Sequence, residues 1–169
     1  MIIRATKKLL NTSGISPIKN LTDPSKNMPG EWYASTISLQ QPGKLAIHFL
    51  HYPTFISILI PGKSINKVTL LLRQRTTALL KRLGYSDLIP RFQLDTKPEI
   101  FATNSRSILG HINQVKFNIE YHIALAETID SIDYDRIEDI HFDMIFTDKL
   151  SPGGYVTPKR ILDNMILKK

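Results

Sequence analysis

The stretch Thr103-Asn104-Ser105-Arg106-Ser107-Ile108-Leu109-Gly110-His111-Ile112-Asn113 holds the densest chemistry in the chain. Asn104 and Ser105 are helix-capping types, and they stand directly before an apolar run of period 3.6, so a helix is predicted to start there. A helix N-terminus attracts anions through its unpaired N–H donors and its positive dipole end. Arg106 adds a planar fork that grips phosphate or carboxylate through two parallel hydrogen bonds. Arg106, Asn113 and Glu120 recur every seven residues and share a polar stripe, with Gly110 in the same stripe. Glycine inside a helix costs ~1 kcal/mol relative to alanine, and the gap it leaves admits a ligand or another backbone. The sequence therefore nominates Asn104, Ser105, Arg106 and Asn113 as ligand-binding residues for a small anionic molecule. The plainer alternative is that Asn104 and Ser105 only cap, Arg106 pairs with a local carboxylate, and Gly110 admits a neighbouring strand. Glu120 becomes a base only if burial raises its pKa. It stands ~21 Å from Arg106 along a helix, too far to share one small substrate, so Arg106 with Asn113 is the favoured pair.

Other chemistry is sparser. The five histidines are His48, His51, His111, His122 and His141, and none pair at the i,i+4 spacing of a helical zinc site. His48 and His51 differ by an odd number on one predicted strand and should point to opposite faces. Asp139, His141 and Asp143 align only in a strand; the segment reads as helical, which turns His141 away. No metal site and no cofactor is expected. A phosphate-cradling glycine loop followed by Lys-Ser/Thr, a dinucleotide-binding glycine pattern and a Gly-x-Ser-x-Gly elbow are all absent. Ser105 and Ser107 have no evident base near them in sequence.

Charge is distributed unevenly. Residues 1–85 carry 12 basic and 2 acidic side chains, a net +10, whereas residues 86–169 carry 10 basic and 13 acidic, a net −3. Eight acids lie between Glu127 and Asp148 against the single Arg136. The segment from Lys63 to Arg82 holds six cations and no anion. A solvated helix usually mixes signs to gain i,i+4 pairs, so these cations are predicted to face either nucleic acid or the protein's own acidic segment. Lys63, Lys67, Arg75, Lys81 and Arg82 share a sector and are the candidate phosphate contacts; Arg73 falls outside it. Trp32, Tyr33, Phe49, Tyr52 and Phe55 accompany this basic half. Aromatics among cations suit single-stranded nucleic acid, although core packing explains most of those on strands.

These groups need elements to position them. Met1–Lys8 opens with a short β-like run, and 9–30 reads as a loop with at most a helical turn. Trp32–Leu39, Lys44–His51 and Thr54–Ile60 are predicted strands separated by short turns, which makes an antiparallel meander. Ser64 caps a helix from Ile65 to about Leu83, with Gly84 as its stop; Ile65, Val68, Leu72, Leu79 and Leu83 form its core face. After a Pro-containing connection over 86–98, Glu99–Thr103 is a strand and Arg106 to about Ala126 a helix with Ile108, Leu109, Ile112, Val115, Ile119 and Ile123 inward. The acidic segment 130–150 holds another helix, 151–154 is a turn, and Thr157-Pro158 starts a last helix to about Leu167. The expected fold is α+β in one domain: an antiparallel sheet, comprising the meander plus the N-terminal and central strands, packed with about four helices.

The 169 residues and 42% apolar content suit one globular core. No apolar run approaches the ~20 residues of a membrane span, and the basic start lacks the apolar stretch of a signal peptide, so neither membrane association nor secretion is expected. Zero cysteines exclude disulfides, Fe–S clusters and thiol nucleophiles; a cytoplasmic setting fits.

The chain resembles a bacterial family of unknown function. The resemblance rests on Met-Ile-Ile-Arg, a variable residue and Thr-Lys-Lys-Leu at Met1–Leu9, on Trp32-Tyr33-Ala34, and on the central Thr103–Gly110 block. It extends to Asn113, to the Glu-Tyr-His-Ile run at Glu120–Ile123, and to the turn at Pro152–Tyr155. It covers nearly the whole chain and implies no activity. What it adds is placement, at Arg4 to Lys8 and at Asn104–Asn113; the match is poorest over 130–150. Three functions are therefore expected in turn. One is a binding module for nucleic acid or another polyanion. Another is an interaction protein, a homo-oligomer or one with a protein partner, of the toxin–antitoxin or mobile-element accessory kind, whose basic helix neutralises the acidic segment in the same chain or in a partner copy. The third is a small-ligand or enzyme site at Asn104–Asn113.

Overall fold

The computed structural model describes residues 1–18, 30–103, 105–148, 151 and 153–167. Five strands, β1 (Ile2–Ala5), β2 (Glu31–Ser38), β3 (Leu45–Tyr52), β4 (Ser57–Pro61) and β5 (Glu99–Ala102), form one sheet in the order β4-β3-β2-β1-β5. The meander is antiparallel, as short turns require. The sheet as a whole is mixed, which corrects the antiparallel expectation: β1 lies between β2 and β5 and runs parallel to both. Long connections leave β1 and enter β5, so the chain has the length to cross over and return in the same direction.

Helices cover both faces. Among the described residues there are five α-helices and two 3-10 helices, more than the four expected. The additional α-helix is α1 (Lys7–Ser13), inside the region read as strand and loop. Thr6 caps it by accepting the Leu9 N–H, Gly14 closes it at φ 65°, and burial of Leu9 and Leu10 holds it in place; the rest of that region, 19–29, lies outside the described residues. The 86–98 connection contains a 3-10 helix, Ser86–Phe92, anchored by buried Leu88 and Phe92. The other α-helices are α2 (Ile65–Arg82), α3 (Arg106–Ala124), α4 (Tyr134–Phe142) and α5 (Pro158–Leu167), with a short 3-10 turn, Ile129–Ser131, ahead of α4. A small hairpin of β6 (Phe146–Thr147) and β7 (Tyr155–Val156) lies between α4 and α5.

Period-two alternation assigns each strand residue to a face. Ile3, Trp32, Ala34, Phe49, Ile58 and Ile60 form one core with Leu9 of α1, Val68 and Leu72 of α2, Phe92 and Leu162. Tyr33, Ile37, Leu50 and Leu59 form the other with Ile108, Ile112, Val115 and Ile119 of α3 and Ile137 of α4. Trp32, Tyr33, Phe49 and Phe55 are all buried, so packing employs four of the five aromatics of the basic half. Among the described residues no helix is long and apolar enough to cross a membrane.

Candidate functional site

α3 starts where the block 103–113 predicted a helix. Ser105 is its N-cap and accepts the Ile108 N–H at 3.3 Å, so its buried hydroxyl is engaged in the helix start. Asn104 lies outside the described residues. Arg106, the first residue of α3, is exposed and has no ion-pair partner among the described residues. It stands at the mouth of a cleft of about 430 Å³. One wall is α3 itself, through Arg106, Ser107, Gly110, His111 and Gln114; the others are Tyr52 at the end of β3 with Phe55 of the β3–β4 connection, and Thr147 and Asp148 from the β6–β7 hairpin.

His111 is the most constrained group in this cleft. It is 8% exposed and lies edge-on to Phe55 and Phe146, with centroids 5.0 and 5.6 Å away, while those two rings stack on each other at 4.7 Å. Its imidazole makes no hydrogen bond among the described residues, yet the side chain lines the cavity. Burial pulls its pKa below the ordinary 6.5, against the opposing charge of Asp148. Ser107 precedes it by four residues and so shares its helix face. Phe55 sits at φ 57°, a left-handed conformation that costs a non-glycine residue about 1–3 kcal/mol and tends to concentrate at functional sites. Gly110 opens the wall without admitting a neighbour: a Cβ there would meet nothing within 4 Å.

Asn113 does not join Arg106. It lines a separate notch of about 170 Å³ on another side of α3, with Thr6 and Lys8 of the chain start, Ser35 and Thr36 of β2, and Lys116. The favoured Arg106–Asn113 pair is therefore divided between two clefts. Glu120 is half-exposed and pairs with Lys116 at 3.6 Å.

The acid-free helix faces the chain's own acids through two of its cations. Arg75 reaches Asp135 at 2.7 Å and Glu138 at 2.9 Å, and Arg82 reaches Asp139 at 2.8 Å and Asp135 at 3.5 Å. Arg73 pairs with Asp95. Lys63, Lys67 and Lys81 remain exposed and outside this cluster.

The strand histidines point to opposite faces, as their odd separation predicted. His48 contacts Ser57 Oγ at 2.9 Å on the α3–α4 side, and His51 packs on Trp32 and Phe92 on the other. Helical geometry separates Asp139, His141 and Asp143: Asp139 turns to Arg82, His141 contacts Asn118 at 2.9 Å, and Asp143 closes α4. Among the described residues no group of three or more His, Asp or Glu is arranged to hold a metal ion.

Sequence reasoning missed Tyr52, Phe55, His111, Thr147 and Asp148 as site residues. Only His111 carried a signal, its place within the block. The rest arrive from 40 or more residues away or from another hairpin, and their proximity exists only in three dimensions.

The model of a family described as a domain of unknown function (DUF6933) matches residues 2–161, and the chain belongs to that family. No curated protein matches the chain.

Proposed function

We propose that this member of the DUF6933 family binds a small polar molecule carrying an anionic group, in the cleft between α3, the β3–β4 connection and the β6–β7 hairpin. The observation that carries this reading is His111, nine-tenths buried and edge-on to the stacked Phe55–Phe146 pair, with no hydrogen bond from its ring nitrogens and no ion partner on the neighbouring Arg106 among the described residues. The His111 ring nitrogens are not among the polar atoms sealed from solvent, so a ligand in the cleft can reach them and hydrogen-bond. The N–H groups of the first turn of α3 and the Arg106 fork take the anionic end. Tyr52 and Phe55 give the remainder an aromatic floor, and Asp148 favours a ligand that also carries a donor or a positive group.

A panel of phosphate monoesters and amino acids, titrated while the amide resonances of residues 106–114 are followed, tests it. Saturable shifts are expected with at least one probe, weakened in Arg106→Lys, which keeps the charge and loses the fork, and in His111→Phe. Absence of saturable shifts across both classes would sink the reading.

Polyanion binding is the second reading, and the exposure of Lys63, Lys67 and Lys81 favours it. A mobility shift with mixed DNA and RNA at low salt tests it: binding should fall steeply with salt and with Lys67→Glu. No binding at tens of micromolar protein removes it.

A further inference from the structure

We propose that the notch between β1, β2 and α3 is a second, independent binding site, for a tetrahedral oxyanion of phosphate size. The sheet creates the space. β1 stops at Ala5, whose partner is Ala34, and the Thr6 N–H donates to the Ala34 carbonyl as the chain departs into α1. β2 continues to Ser38, so beyond Ala34 the side of β2 that β1 covered has no strand beside it. α3 closes the far side with Asn113 and Lys116.

Donors line this space. Ser35 is 5% exposed, and its buried Oγ has no hydrogen-bond partner among the described residues. Buried hydroxyls in native proteins are nearly always satisfied, and an orphan calls for a missing acceptor. Lys8 lines the notch from the chain start, and Asn113 and Lys116 line it from α3. Lys116 keeps only a long, half-exposed contact with Glu120, at 3.6 Å, which an arriving anion displaces. Two ammonium groups, a hydroxyl and an amide suit a compact acceptor of high charge, and a notch of about 170 Å³ holds little more than that. Arg106 and His111 line the other cleft, so this site does not depend on the function proposed above.

Titration of the full chain with inorganic phosphate near neutral pH, followed by amide NMR, tests the assignment. Saturable shifts are expected at Lys8, Ser35, Thr36 and Lys116. Lys8→Ala with Lys116→Gln should weaken binding about tenfold or more, as loss of charge-assisted hydrogen bonds does. Ser35→Ala should weaken phosphate binding without lowering the melting temperature, because it removes an unsatisfied hydroxyl; a merely structural serine would move stability and leave affinity alone. Shifts at residues 106–111 are read separately, because the larger cleft also takes anionic groups. Glycerol phosphate separates the two sources of such an anion: binding as tight as phosphate means the terminal group of a longer molecule, and exclusion means the free ion. Shifts that never saturate, or affinity that survives the double lysine variant, overturn the proposal. Saturable shifts confined to residues 106–111 would also overturn it, by moving the anion to the larger cleft.

Discussion

Glu138 of α4 and Arg75 of α2 meet at 2.9 Å beneath the surface, with the carboxylate only 1% exposed. The same carboxylate accepts the Leu59 backbone N–H at 3.0 Å. One acid thus ties α4 to α2 and to β4. Removing one partner of a buried pair leaves an uncompensated charge and costs about 3–5 kcal/mol. Arg75→Ala should lose stability in urea denaturation by less than that, because Arg75 is a quarter exposed and Arg82 stays 3.9 Å from Glu138, and adding Glu138→Gln should restore a large part of it. Lys67→Ala, at an exposed position, should change stability by under ~0.5 kcal/mol.

Buried titratable groups set the response to pH. Burial pushes Glu138 from 4.5 up to about 7, although the Arg75 guanidinium and the Leu59 N–H pull it down. The folded state therefore holds a proton that the unfolded chain releases, and this group's contribution falls as pH rises from about 4.5 to about 7. Burial lowers His48 and His51 from 6.5 to about 3, and His141 to about 4. Unfolding lets them take up protons below 6.5, so their contribution is lost as pH falls. Three histidines outweigh one acid between 4.5 and 6.5. Urea midpoints should therefore drop as the pH is lowered through that window, more steeply in Glu138→Gln and less steeply in His141→Asn. A flat profile would contradict the burial of these rings.

Two glycines should respond in opposite directions to alanine. Gly110 is in α3 with open space where a Cβ would stand, so Gly110→Ala should raise stability by up to ~1 kcal/mol. The same methyl group narrows the larger cleft and should weaken any ligand bound there. Gly62 has φ 147°, and a Cβ would fall 2.8 Å from Val68 Cγ1 at the start of α2. Gly62→Ala should cost at least ~1 kcal/mol through strain and the displaced valine. Thermal denaturation of the two variants side by side checks both signs.

Arg4, on the interior strand β1, forks onto Glu31 through two contacts of 2.8 Å, and Tyr33 donates its hydroxyl to the same carboxylate at 2.9 Å. Arg4 is 5% and Glu31 1% exposed. Arg4→Ala should destabilise by about 3–5 kcal/mol, whereas Arg4→Met with Glu31→Leu should come much closer to the wild type. Chemical denaturation of the three variants tests this, and a small loss in Arg4→Ala would show that the pair is not buried as described.

By itself the sequence determined the α+β class, the meander and the two long helices, because local signals suffice for them. Ile65, Val68 and Leu72, and Ile108, Ile112, Val115 and Ile119, recur at the helical period and do become buried faces. Charge composition left two counterparts open for the basic helix, nucleic acid or the chain's own acidic segment, and the tertiary structure brings Arg75 and Arg82 to that segment. Tertiary structure alone decided the direction of β1: four residues carry no local mark of parallel or antiparallel pairing, and the crossover connections set it. It also divided Arg106 from Asn113. Seven residues keep two side chains at nearly the same angle on a helix but ~10 Å apart along it. The two clefts flank that shared stripe, Ser107, His111 and Gln114 lining one beside the β6–β7 hairpin and Leu109, Ile112 and Lys116 lining the other beside the residues that follow β1, so Arg106 borders the first, Asn113 the second, and one predicted site became two clefts.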